Sequence, residues 1–159
     1  MKILVATDGS DFSRQAIEKA CEMLAKGENN LVEIISVSEE VAHPVGEPFA
    51  VSTEYINEME KIGREQATKF ANDAEATIRG RFADSSVQIT TKIVKGTSPG
   101  RAIVEEAESW GADLIVTGSH GYGFWGRSFL GSTSDTVIHH APCSVLVVRK
   151  KNDETSANG

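Results

Sequence analysis

A chain of 159 residues, 40% hydrophobic and 25% charged, can close one core without disulfide or metal staples, burying about 68–70% of its unfolded surface. Its net charge of -7, with no Lys/Arg-rich block, excludes general binding to nucleic acid or to an acidic membrane surface. Cys21 and Cys143 lie far apart and outside any CxxC spacing, which points to reduced thiols rather than zinc ligands or a bridge.

Met1-Lys2-Ile3 leads straight into a short strand near 2–7, without the apolar stretch and cleavage site of a secretory signal. Nothing approaches a membrane span, and a cytoplasmic location is expected. A first helix starts at Ser10 or Asp11 and carries Phe12, Ala16, Ile17, Ala20, Cys21 and Leu24 on one stripe. A strand over 31–37 follows. Val41 to Ser52, with Pro44, Gly46 and Pro48, reads as a connecting loop. A long helix then runs from about Thr53 to Arg79, with Ile56, Met59, Ala67, Phe70, Ala74 and Ile78 inward.

In the strand near 86–94, Val87, Ile89, Thr91 and Ile93 alternate with Gln88, Thr90 and Lys92, the pattern of a half-exposed edge. A third helix follows Ser98, with Pro99 suited to its first turn. Leu114-Ile115-Val116, in a strand over 113–117, is continuously apolar like Ile3-Leu4-Val5-Ala6, and both read as central. A fourth helix begins near Leu130, a last apolar strand covers 143–149, and Lys150 to Gly159 is a polar tail. Alternating strands and helices predict one α/β domain over 1–149 with an open, mostly parallel five-stranded sheet.

After the fourth strand comes Gly118-Ser119-His120-Gly121, then nine residues, then Gly131-Ser132. Glycines let a backbone come close to a ligand, and successive N–H groups form an anion-binding nest. Ser132, Thr133 and Ser134 would add N–H donors and hydroxyls at the positive end of a helix dipole. The pattern therefore reads as a two-part phosphate cradle; a glycine-rich surface loop followed by a Ser-capped helix is the plainer alternative. Other motifs carry less. Gly121 to Gly126 satisfies GxGxxG, but the acidic residue of a dinucleotide site has no strand end left to occupy. Ser119 sits in a degenerate nucleophile-elbow pattern without a downstream Asp-then-His order. His139 and His140 are neighbours on a helix and point apart, and no Gly-Lys-[Ser/Thr] follows the glycines.

Together with Ala6-Thr7-Asp8 and Ala141-Pro142-Cys143-Ser144-Val145-Leu146-Val147-Val148, the spacing resembles the ATP-binding branch of the universal stress protein family, whose G-2x-G-9x-G-[S/T] pattern is met by Gly118, Gly121, Gly131 and Ser132. The resemblance implies a Rossmann-like sheet of order 3-2-1-4-5 with helices on both faces. It places Ala6 and Asp8 against the nucleotide and the Val37 backbone on the adenine edge. Gly118, Ser119, His120, Gly121 and Tyr122 would wrap ribose and phosphates, and Gly131, Ser132, Thr133 and Ser134 the remaining phosphates. ATP, with Mg²⁺ reached by Asp8 at most indirectly, is the implied ligand, and a homodimer through strand 143–149 the implied assembly. Two readings stand for Asp8, a ribose or metal contact and an organiser of the turn into the first helix.

The insert departs from the family in its glycines and aromatics, Tyr122, Phe124 and Trp125, with Arg127 its one permanent cation. A nucleotide-dependent regulatory module is the leading expectation. A slow ATP hydrolase or a phosphotransferase or nucleotidyltransferase on the same fold is the alternative in another class, with Asp8, His120 and Arg127 the available groups. An AMP or cyclic-nucleotide binder is a third.

Overall fold

A computed structural model describes residues 1–25, 30–40, 52–82, 87–121 and 130–149. Its elements in chain order are β1 (Lys2–Ala6), α1 (Asp11–Leu24), β2 (Leu31–Glu39), α2 (Thr53–Arg81), β3 (Gln88–Gly96), α3 (Pro99–Trp110), β4 (Leu114–Gly118), α4 (Ser132–His140) and β5 (Ser144–Val148). Every neighbouring pair of strands is parallel, and the order is β3-β2-β1-β4-β5. The expected sheet is present.

Strand composition accounts for this order. Ile3, Leu4 and Val5 of β1 and Ile115 and Val116 of β4 are fully buried, because helices cover both faces of the sheet at its centre. On one face Ile3, Val5, Val32, Ile34 and Val116 pack with Ala16, Ile17, Ala20 and Leu24 of α1 and Ala71, Ala74 and Ile78 of α2. On the other, Leu4, Ala6, Ile35 and Ile115 meet Ile103 and Ala107 of α3 and Val137 of α4. β3 is the polar edge that its alternation predicts. Lys95 Nζ lies 2.8 Å from Glu60 and 3.6 Å from Glu40, tying this edge to α2 and the end of β2. The two cysteines are free, and burial pushes both thiols up.

Several details differ from the sequence reading; besides β3, which runs over Gln88–Gly96 rather than 86–94, and α2, which ends at Arg81 rather than Arg79, three bear on the packing. α4 begins at Ser132 with Gly131 as its N-cap, not near Leu130. Met59 and Phe70 of α2 are only half-buried, whereas Ala71 is fully buried. β2 runs on to Glu39, past the expected end at 37, because β3 continues beside it as far as Gly96.

Candidate functional site

The winding of the sheet reverses between β1 and β4, and in open α/β sheets a crevice forms there beyond the strand ends. A cleft of about 410 Å³ occupies that place, within the size range of small-molecule sites. Ala6, Asp8, Val37, Gly118, His120, Gly121, Gly131, Ser132, Thr133 and Ser134 line it. Ser119 is not among the lining residues. Tyr122, with Phe124, Trp125 and Arg127, lies outside the described residues.

Asp8 serves the turn and faces the cleft at once. Its Oδ1 accepts from Ser10 N–H at 3.0 Å and from the Ser10 hydroxyl at 2.6 Å. Ser10 Oγ in turn accepts from Ser13 N–H at 3.2 Å and so caps α1. The second carboxylate oxygen points at Gly121, where an added Cβ would come within 2.7 Å of Oδ2. One oxygen thus serves the turn, and the other lies beside Gly121. Gly9, at φ 74° with Phe70 packed where a side chain would stand, makes the sharp exit from β1 possible.

The motif glycines act through proximity. Among the described glycines only Gly9 and Gly111 have positive φ, so Gly118, Gly121 and Gly131 are not required for a left-handed turn. Gly131 N–H donates to Ser119 C=O at 2.8 Å and brings the start of α4 against the β4 turn. An added Cβ on Gly131 would sit 3.2 Å from His120 Cα and 3.3 Å from Ser119 O. As N-cap, Gly131 offers no side-chain acceptor, while the first N–H groups of any α-helix lack intrahelical partners. The N–H donors of Ser132, Thr133 and Ser134 therefore remain for whatever enters the cleft. α1, by contrast, has its N-terminus closed by Ser10.

Two hydroxyls expected to serve a ligand have structural partners. Ser134 Oγ is buried and donates to Gly118 C=O at 2.7 Å, locking α4 to β4. Ser119 Oγ lies 3.0 Å from His120 Nδ1, and the His120 ring leans on Phe12 with centroids 5.1 Å apart. These contacts orient the imidazole at the cleft rim.

β2 supplies something the sequence does not advertise. Leu31 N–H donates to Met1 C=O and Ile35 C=O accepts from Thr7 N–H, so odd-numbered residues of β2 turn their main-chain groups towards β1. Even-numbered ones face β3, as Asn30 C=O with Gln88 N–H and Glu40 N–H with Gly96 C=O show. β1 pairs no further than Ala6 with Ile35. Val37 continues the odd set, and its N–H and C=O project past the end of β1 towards the cleft it lines. Glu39, on the same alternation, also lines the cleft, as do Pro99 and Ile103 of α3. Sequence reading missed these three; a polar residue at a strand end and apolar residues on a helix carry no mark of a ligand site.

No Lys or Arg stands among the described lining residues, which include the acids Asp8 and Glu39. An anion here would be held by N–H donors and the α4 dipole rather than by fixed cations. Among the described residues no cluster of three or more His, Cys, Asp or Glu could hold a metal, and no helix is long and apolar enough to cross a membrane.

The profile of the Universal stress protein family matches residues 1–149. A universal stress protein of Methanocaldococcus jannaschii is 35% identical over 153 residues, covering 96% of this chain and 84% of that protein. The solved universal stress protein UspA of Lactobacillus plantarum superposes with a TM-score of 0.76 at 26% identity, covering 94% of this chain and 97% of that one. An Arabidopsis thaliana family protein with AMP bound shares the fold at a TM-score of 0.66 and 17% identity, covering 99% of this chain and 97% of its own. By the extent of the profile match and by these relatives, the chain belongs to the universal stress protein family.

Proposed function

We propose that this chain is a nucleotide-binding regulatory protein that holds ATP in the cleft between β1 and β4. The observation that carries the reading is the meeting of two open sets of main-chain groups in one cavity: the N–H and C=O of Val37 at one end and the uncapped N-terminus of α4 at the other. An N–H beside a C=O matches adenine, whose N1 accepts and whose N6 amino group donates. Guanine presents N1–H and O6 in the opposite sense, so the same edge rejects it. Phosphates go to the donors of Ser132 to Ser134, and Asp8 Oδ2 is available to ribose hydroxyls.

Mg²⁺ fits as a companion of the phosphates. The cleft holds two carboxylates, Asp8 and Glu39, and one of them beside the substrate phosphates is enough, since this ion is commonly held by one or two carboxylates together with phosphates. Asp8 would be that carboxylate, reaching the ion indirectly. The AMP carried by the Arabidopsis protein supports the adenine part of the reading and favours comparing ligands with fewer phosphates. Calorimetry with ATP, AMP and a cyclic nucleotide ranks them directly.

Mg-ATP at about 100 times its dissociation constant should stabilise the protein by about 2.7 kcal/mol, a rise in melting temperature on the order of 5–10 °C. GTP at the same concentration should shift it less. Absence of any shift with ATP, AMP or cyclic nucleotide, in protein first stripped of endogenous ligand, would refute the assignment.

The assembly follows from β5. Val145, Leu146, Val147 and Val148 are only half-buried, although their composition is that of a covered strand, and β5 ends the sheet. Pairing with β5 of a second copy about a two-fold axis would satisfy the open ladder and cover the apolar residues. Sedimentation of the parent should give a dimer of the 17.1 kDa chain, and Leu146→Pro, which removes a ladder N–H, should give monomer or aggregate. A parent that stays monomeric at tens of micromolar, with or without ATP, contradicts the dimer.

A further inference from the structure

Glu33 interrupts the apolar run of β2 on the face that α3 covers, two residues before Ile35. It is 8% exposed, and its Oε1 meets no hydrogen-bond partner. Three elements bring titratable or charged groups towards it: Glu106 of α3, itself 8% exposed, Lys92 of β3 and Lys2 of β1. Neither lysine is given over to Glu33. Lys92 Nζ lies 2.5 Å from Glu106 Oε2, and Lys2 Nζ donates to Trp110 C=O at 2.8 Å. Glu106 is near enough to Glu33 to raise its carboxyl through hydrogen bonding as well as charge. Two buried carboxylates so placed repel one another when both are ionised, whereas one proton between them makes an O–H donor and an acceptor.

We propose that Glu33 holds a proton against Glu106 behind the cleft, and that losing it loosens α3 from the sheet. Glu106 stands one turn beyond Ile103, which with Pro99 forms the α3 wall of the cleft. A second negative charge there pushes apart the two elements that Ile103, Ala107 and Ile35 otherwise hold together. Ligand affinity would follow the position of that wall; this last consequence alone rests on the nucleotide reading.

Burial, then the hydrogen bond and charge of Glu106, raise the Glu33 carboxyl from its ordinary 4.5 to about 7, while Lys92 and Lys2 pull the other way. Between those values the folded chain keeps a proton that the unfolded chain has released, so the contribution to stability is whole below 4.5 and is lost as pH rises through about 7.

Glu33→Gln keeps a donor for Glu106 and removes the titration. From about pH 5.5 to about pH 8 the melting temperature of the parent should fall on the order of 5 °C more than that of the variant. Hydrogen exchange over α3, corrected for the intrinsic chemical rate, should accelerate with pH several-fold more in the parent than in the variant. Should Glu33→Gln fail to fold, Glu33→Leu, which also removes the titration, supports the same comparison. Parallel melting profiles, or α3 protection with equal pH response in parent and variant, would overturn the proposal. Neither measurement uses a nucleotide, so its failure and the failure of ATP binding are separate results.

Discussion

Gly131→Val is expected to weaken nucleotide binding by about 100-fold, or about 2.7 kcal/mol, while leaving the fold in place. Gly131 is at φ -66° and ψ 155°, a conformation open to any residue, so valine is not excluded by the backbone. What excludes it is space: the new side chain would stand between the start of α4 and the Ser119-His120 turn, with its Cβ 3.2 Å from His120 Cα. The two halves of the cradle would be wedged apart. Valine is also a poorer N-cap than glycine, worth about 1 kcal/mol and roughly 3 °C in melting temperature. Calorimetry gives the affinity and a thermal melt shows that the protein is folded. Parent-like affinity for every adenine nucleotide would mean that ligand does not sit at this junction.

Gly118→Ala should act in the opposite manner, on the fold first. An added Cβ on Gly118 would lie 2.7 Å from the carbonyl carbon of Phe12 and 2.9 Å from its oxygen and Cβ. Two of those are main-chain atoms of α1 and the third is the Cβ fixed to it, and none can turn aside as a side-chain tip can. α1 must move off β4, disturbing the packing of Ala16, Ile17 and Ala20 on the sheet. Overpacking of this kind costs about 3 kcal/mol, a fall in melting temperature of roughly 10 °C. Because Phe12 also supports the His120 ring, nucleotide affinity should decline with it. A variant melting within about 2 °C of the parent would show that α1 yields more easily than a packed helix should.

The contrast between these glycines marks how far the sequence could be read. Strand identity was legible because burial writes itself into composition: β1 and β4 are unbroken apolar runs and β3 alternates, which separates centre from edge. The glycine spacing pointed to the strand ends where the cleft lies. It did not say why each glycine is there, since close approach to Phe12, to Asp8 and to His120 are properties of three-dimensional neighbours. The same holds for Ser134: a hydroxyl at a helix start looks like a ligand donor, and only the packing of α4 on β4 gives it Gly118 C=O as a partner. Glu39 and Ile103 were invisible for complementary reasons, one resembling a loop residue and the other a core residue. Gly9 passed unremarked because its conformation answers to Phe70, more than sixty residues away in the chain.

The sheet has one polar border and one apolar border, and for the proposed dimer the difference would limit how many copies can join. Along β3, Lys92 and Lys95 are held upright by Glu106 and Glu60, so the strand presents charge to any approaching chain. β5 presents valines and leucine. A molecule with a single adhesive border has a valence of one: once two copies meet through it, nothing remains to recruit a third, and growth into ribbons or filaments is closed off. Discharging the β3 border, for instance by Lys92→Val together with Lys95→Val, would raise that valence to two and turn the proposed self-terminating pair into a chain of subunits.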